Sequence, residues 1–199
     1  MAIETYQQLQ SSISGWLHRT DLSARADDFI ALAEVRFNRN LRVRQMETEH
    51  SEAVTDPVVD LPADWLEMVD RVKIEGEPLE LVSRSQFETR QHAGQTGCYY
   101  AIWGNTLRIG QPLREPATLT FDYYARIPSL SDDNADNWLL RDGPDVYLYG
   151  SLLEAEPYLD NDARTETWRA LLQVGLTDLQ AAADRAKFAG GALAQDLPR

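Results

Sequence analysis

Cysteine is nearly missing from this chain, with Cys98 standing alone among 199 residues. An intrachain disulfide is therefore impossible, and a reducing compartment is expected. Lysine is almost as scarce: only Lys73 and Lys187 occur beside 17 arginines. Arginine is favoured where planar, bidentate pairing with carboxylates is needed, as at interfaces, although high-GC codon usage explains the same bias equally well. Positive charge as a whole is short, 19 basic against 32 acidic residues, for a formal net charge of −13. That balance argues against a general binder of nucleic acid or anionic membrane. The few histidines, His18, His50 and His92, are far apart, and neither HExxH nor any Cys/His spacing occurs, which argues against a zinc site. No GxSxG or Walker glycine loop is present, and Gly190-Gly191 lacks the preceding strand that a nucleotide motif requires. No segment approaches the roughly 20 apolar residues of a membrane span. Residues 1–20 lack the basic start and apolar run of a signal peptide. The expected product is a soluble protein made in a cytoplasm, with no metal, cofactor or membrane partner.

What is present suffices for a core. Hydrophobic residues make up 43% of the chain and five are tryptophans, enough for one domain or two small lobes sharing a core. The apolar period changes twice. Ile3, Tyr6, Leu9, Ile13, Trp16 and Leu17 recur at three and four residues, predicting an amphipathic helix. A second helix, starting near Asp21 or Ser23 and ending around Asn40, carries Ala26, Phe29, Ile30, Ala33 and Phe37. From there to about residue 127 the period is mostly two. Met68, Val72 and Ile74 lead through Gly76 to Leu79 and Leu81 as a hairpin. Tyr100 and Ile102 face Leu107 and Ile109 across Gly104-Asn105, which suits a type II′ turn. Leu119, Phe121 and Tyr123 alternate with Thr118, Thr120 and Asp122 as a further strand.

Residues 129–137 read as a polar loop. After it, Asp142 or Gly143 caps a helix whose first residue is Pro144, where the missing N–H costs nothing. Val146, Tyr149, Leu152, Leu153 and Leu159 mark its inner face, and Pro157 ends or kinks it. A long helix from about 163 to 189 follows, with Trp168, Leu172, Gly175, Leu179, Ala182 and Ala186 on one stripe. The expected fold class is α+β: residues 1–42 and 129–190 form a helical bundle, 43–128 an inserted antiparallel β lobe, and 191–199 a tail.

Catalytic and metal signatures are missing. In SDDNADN (131–137), Asn137 holds the position of a calcium loop's glycine and Gly143 that of its closing Glu. DNDARTETW fails in the same way at Thr165. Paired carboxylates can be chosen at will from 32 acids, so their presence decides nothing, and Cys98 has no nucleophile signature around it. No enzyme is expected.

Weight therefore moves to interaction. Phe29-Ile30-Ala31-Leu32-Ala33-Glu34 with Arg36, Asn38, Arg39 and Leu41 is followed by Leu61-Pro62-Ala63-Asp64-Trp65-Leu66-Glu67. Further on come Leu107-Arg108-Ile109, Tyr123-Tyr124-Ala125-Arg126-Ile127-Pro128, and Asn137-Trp138-Leu139-Leu140. The last pieces are Pro144-Asp145-Val146-Tyr147-Leu148-Tyr149-Gly150 and Leu152-Leu153-Glu154-Ala155. In this order and spacing, from about residue 25 to 170, the chain resembles the head-to-tail adaptor (head-completion, or gatekeeper) proteins of tailed bacteriophages and gene transfer agents.

The resemblance implies a structural virion protein at the head–tail junction, made in the bacterial host. It implies a homo-oligomeric ring, typically of twelve copies, with a portal protein above, a tail protein below and genomic DNA passing through the lumen. No catalytic residue is carried over, because the family has none. In such a ring Trp138, Tyr147 and Tyr149 are candidates for the subunit interface, Trp138 serving equally as a staple for its own helix. Arg36, Arg39, Arg42 and Arg44 would pair with acidic neighbours between subunits, or else satisfy a helix C-terminus. Asp132, Asp133 and Asp136 are candidates for the channel lining, or else form a solvated outer loop. After Leu179 the last helix thins to alanines, leaving Phe188, Leu193 and Leu197 as anchors for the portal, or else a frayed end. Two other readings stay open: a small cytoplasmic α+β protein-binding module or assembly chaperone, and an enzyme such as a cell-wall hydrolase, which would need two carboxylates roughly 5 to 10 Å apart.

Overall fold

The computed structural model describes residues 3–113, 115–159 and 163–188, without the side chains of Thr20, Lys187 and Phe188. The chain is α+β and divides into two compact units, Met1–Gln45 with Ile127–Arg199, and Met46–Arg126.

The first unit is helical. Helix α1 (Tyr6–Leu17) opens where the Thr5 hydroxyl accepts from the Gln8 amide, and it closes at His18 in the left-handed region. Tyr6, Leu9, Ile13 and Leu17 are its buried stripe. Trp16, expected on that stripe, sits at its rim and is 42% exposed, its ring edge-on to Tyr149. A 3-10 turn, Thr20–Arg25, occupies the predicted start of the second helix, and α2 proper spans Ala26–Asn40. Asp27 and Asp28 in the first turn and Arg39 in the last complement the helix dipole. Later come α4 (Trp138–Asp142), α5 (Pro144–Glu154) and α6 (Arg164–Phe188).

Helix α5 is the centre of this unit. Seven of its residues are buried (Val146, Tyr147, Leu148, Gly150, Ser151, Leu152 and Leu153), the pattern of a helix covered nearly all round. The predicted inner face picked the wrong tyrosine: Tyr147 is fully buried, Tyr149 only half so. Gly150 lets α2 come close, since a Cβ there would lie 2.5 Å from Phe37 Cζ. Gly175 does the same for α6, where a Cβ would lie 2.8 Å from Val146 Cγ2. On α6 the buried stripe runs through Thr165, Trp168, Leu172, Gly175 and Ala183. Ala182, predicted to face inward, is exposed, because a 3.6-residue repeat carries the stripe from Leu179 to Ala183 instead.

The second unit holds two sheets. The nine-residue strand β9 (Ala117–Ala125) organises one of them. It pairs antiparallel with β1 (Glu47–Val54) along its length, and on its other edge with β3 (Trp65–Met68) and β4 (Lys73–Ile74). Leu119, Phe121 and Tyr123 are the buried set of β9, as the alternation predicts. The Tyr123 hydroxyl donates to Asp64 at 3.0 Å; burial, with that carboxylate beside it, pushes its pKa up to about 12. The predicted hairpin over 68–81 contracts to β4 and β5 (Glu77–Pro78), turning at Glu75-Gly76, both with positive φ.

The other sheet has the order β2 (Val58–Asp60), β8 (Thr106–Ile109), β7 (Tyr99–Trp103), β6 (Glu80–Leu81). Tyr100 pairs with Ile109 and Ile102 with Leu107. The turn has φ +58° at Gly104 and no positive φ at Asn105, as type II′ requires. Strand β6 runs parallel to β7, a departure from the expected antiparallel lobe. Leu79 and Val82 are buried there and Leu81, expected inside, is exposed. A helix the period-two reading does not anticipate, α3 (Arg84–His92), is started by a capping box between Ser83 and Gln86. Its one buried residue, Phe87, meets Tyr99 and Trp103 edge-on.

Candidate functional site

Residues 129–137 read as a polar loop, yet three helices hold the segment from Ile127 onward. From α2, Asn38 Oδ1 accepts the Ile127 amide at 2.8 Å and Glu34 Oε1 accepts the Leu130 amide at 2.8 Å. From α1, the Tyr6 amide donates to the Ala135 carbonyl at 2.7 Å. From α5, the Tyr147 hydroxyl donates to Glu34 Oε1 at 3.1 Å. Asn137 completes the arrangement. Its Nδ2 donates to the Tyr147 hydroxyl and to the Pro128 carbonyl, both at 2.7 Å, while its Oδ1 accepts the Leu140 amide and caps α4.

Glu34 and Asn137 are each only 4% exposed. Burial raises the Glu34 carboxyl pKa, opposed by hydrogen bonds from the Leu130 amide and the Ser129 and Tyr147 side chains. Burial, then the neighbouring Glu34 carboxylate, raises the Tyr147 hydroxyl. A buried polar network with its partners present fixes one geometry, because each unmade bond would cost a full desolvation penalty. The network is a clamp on the loop.

What the clamp presents is acidic. Asp132, Asp133 and Asp136 are all exposed. Asp132 accepts from Gln7 Nε2 at 3.1 Å, and Asp136 pairs with Arg141 at 2.7 Å. Trp138 is half-buried at the start of α4, whose Leu139 and Leu140 are fully buried. The Trp-Leu-Leu run is thus a short helix of its own, seated on the core ahead of the Pro144 start.

The remaining candidates divide. Tyr147, expected at a subunit interface, is at 0% exposure a core residue and belongs to the clamp. Arg36 is committed within the chain, pairing with Glu154 at 2.6 Å. Arg42 Nη1 donates to the Asn38 and Leu41 carbonyls at the end of α2, the role of a cation satisfying a helix C-terminus. Arg39 and Arg44 are exposed, with no ion-pair partner among the described residues. The Phe188 backbone closes α6, and Leu193 and Leu197 lie outside the described residues. Among the described residues no group of His, Cys, Asp and Glu could hold a metal ion, and no helix is long and apolar enough to cross a membrane.

Sequence reasoning passed over Glu34, Asn38 and Asn137 as functional positions. A signal for the first existed: an acid at position 34 falls within the apolar stripe of α2, four residues after Ile30.

The family model for the SU10 adaptor protein matches residues 4–195. The chain belongs to the SU10 adaptor family. No curated protein sequence matches it. As an SU10 adaptor it is a structural phage protein of the head-to-tail kind, which implies a place at the head–tail junction with a portal and a tail partner. The adaptor's polar clamp thus ties together residues that stand far apart in the matched span: Glu34, Asn38, Asn137 and Tyr147.

Proposed function

We propose that this adaptor closes into a ring, twelve copies in the form the head-to-tail proteins imply, with the portal above it and the tail protein below. Genomic DNA passes through the lumen without specific binding. The observation that carries this reading is the clamped acidic loop: Asp132, Asp133 and Asp136 stand exposed on a segment whose backbone is held from α1 and α2 and whose Asn137 side chain donates to the Tyr147 hydroxyl of α5. Carboxylates suit a surface past which DNA must slide, because each cation–phosphate contact adds affinity by counterion release. Trp138, Tyr149, Arg39 and Arg44 supply aromatic and cationic side chains for subunit contacts. Phe188, Leu193 and Leu197 dock on the portal, for among the described side chains beyond Leu179 the α6 stripe offers its own unit only Ala183 as a buried residue.

The test assembles the adaptor on its portal and compares it with a D132R/D133R/D136R variant by electron microscopy and by retention of linear duplex DNA. Rings are expected with both proteins, and the variant should retain DNA in a way that fades with added salt. Unchanged retention would remove the loop from the lumen, and an absence of rings on portals would overturn the assembly.

A further inference from the structure

The outward faces of α2 and α6 carry the same apolar pair at the same spacing, flanked by polar residues of complementary charge. On α2 the row is Asp28, Leu32, Val35, Arg39; on α6 it is Thr167, Leu171, Val174, Asp178. Residues at i, i+4, i+7 and i+11 lie along one side of a helix. Every member is exposed, including the apolar pairs: Leu32 at 52%, Val35 at 45%, Leu171 at 38% and Val174 at 57%. Single exposed aliphatics need no explanation, but a Leu-Val pair at matched positions on two helices of one unit is a repeated device. Both helices pack their inner faces on α5, which leaves these outer rows uncovered. Arg39 and Asp178 have no ion-pair partner among the described residues.

We infer that the α2 strip of one copy packs on the α6 strip of the next, the two helices parallel, as the heterologous contact that closes the proposed ring. Charge selects the direction of the α2–α6 contact, and ring closure selects that pairing over its alternatives. With the helices parallel, Leu32 meets Leu171, Val35 meets Val174, Arg39 meets Asp178, and Asp28 meets only the neutral Thr167. Reversed, the same strips would set Asp28 against Asp178 and leave Arg39 facing the threonine. Two α6 strips gain no ion pair in either direction: parallel they place acid on acid, antiparallel they place acid on threonine. Two antiparallel α2 strips would match Asp28 with Arg39 twice. That contact is isologous, however, so it ends in a dimer and leaves both α6 strips bare. The α2–α6 contact instead covers one strip of each kind at every junction, and a contact between two different surfaces generates a ring when its rotation closes. This inference rests on the ring reading above and names the surfaces that build it.

The test uses full-length chains with the exposed Cys98 replaced by serine. One carries Val35→Cys, another Val174→Cys and a third both, each mixed with portal and treated with a short bis-maleimide. Mixing the two single variants should give covalent dimers, the double variant should give a ladder past the dimer, and either single variant alone should stay uncoupled. R39E should lower coupling roughly two- to fivefold, the range of an exposed ion pair. D178R should restore it and T167R should not; rescue by T167R alone would reverse the helices and overturn the parallel contact. Thermal melts of the variants guard against misfolding. Dimers from Val35→Cys alone would mean symmetric α2 pairing and overturn the inference. Rings seen by electron microscopy without coupling would overturn the interface while leaving the ring. An absence of rings would overturn both.

Discussion

Removing the Glu34 carboxylate should loosen the acidic loop and cost the helical unit several kilocalories. In E34A the Leu130 amide at 2.8 Å and the Tyr147 hydroxyl at 3.1 Å lose the same acceptor. Each buried donor left unmade costs about 1–3 kcal/mol. Relief from holding a raised-pKa carboxyl in a buried place offsets part of this, so the net loss should be about 2–4 kcal/mol. For a chain of this length that lowers melting by roughly 5–15 °C. In E34Q the amide carbonyl replaces Oε1 as acceptor, and its NH2 can donate to Ser129, so melting should stay near wild type at neutral pH. The pH dependence separates the two forms further. Burial raises the folded-state pKa of Glu34. Just above the ordinary carboxylate range, then, the folded chain holds a proton that the unfolded chain has lost. Its contribution is most favourable below that range and declines as pH rises through the raised pKa. Wild type should therefore gain on E34Q as pH is lowered from 7 towards 4. The assay is the circular dichroism melt at 222 nm, with hydrogen exchange at the Leu130 amide reporting the loop directly. An E34A melt within about 2 °C of wild type at neutral pH would refute the clamp, as would a Leu130 amide that exchanges no faster.

Further outcomes follow from packing and charge. G150A should destabilise by about 1–3 kcal/mol through overpacking, because its methyl meets the Phe37 ring. Adding F37L should recover part of the loss, and equal melts for G150A and wild type would show that α2 and α5 can shift apart freely. The isolated chain, with net charge −13, should sediment as a monomer and form rings only with portal present; a stable ring of the purified protein alone would contradict this. EDTA should leave melting unchanged, and a large fall on chelation would reveal a metal dependence. Deleting residues 188–199 should leave the melt nearly unaltered while abolishing assembly on the portal, and unaltered assembly would refute portal docking through Phe188, Leu193 and Leu197.

Elements set by a local rule were legible in the sequence. The alternation of Leu119, Phe121 and Tyr123 gives β9 and its buried face, and Gly104-Asn105 gives the turn of the β7–β8 hairpin, because each depends on side chains a few residues apart. Pro144 at the first position of α5 is legible for the same reason. Helix α3 escaped because Phe87 is its only buried residue, too few for a 3.6-residue stripe. Its capping box, Ser83 with Gln86, was the one available signal. Tyr147 and Tyr149 could not be told apart by period, since a helix surrounded on nearly every side has no polar face to set the phase.

The clamp was illegible for a different reason. Glu34, Asn38, Asn137 and Tyr147 are polar or amphipathic residues whose partners lie about 90 to 110 positions away in three of the four cases, and nothing local requires them to meet. Their meeting nevertheless accounts for a local oddity. Trp138, Leu139 and Leu140 stand ahead of a helix that already has its own proline start. Asn137 caps them into α4 with its Oδ1 while its Nδ2 reaches Tyr147 on α5 and the Pro128 carbonyl. One side chain thereby fixes the helix start, the loop before it and the helix after it. Surface ion pairs such as Asp136–Arg141 would hold the loop only weakly, since each is worth at most about 1 kcal/mol and weakens with salt. A buried carboxylate and amide, joined through the Tyr147 hydroxyl, hold the backbone where salt has little access, and leave the three aspartate side chains on the exposed side of the loop.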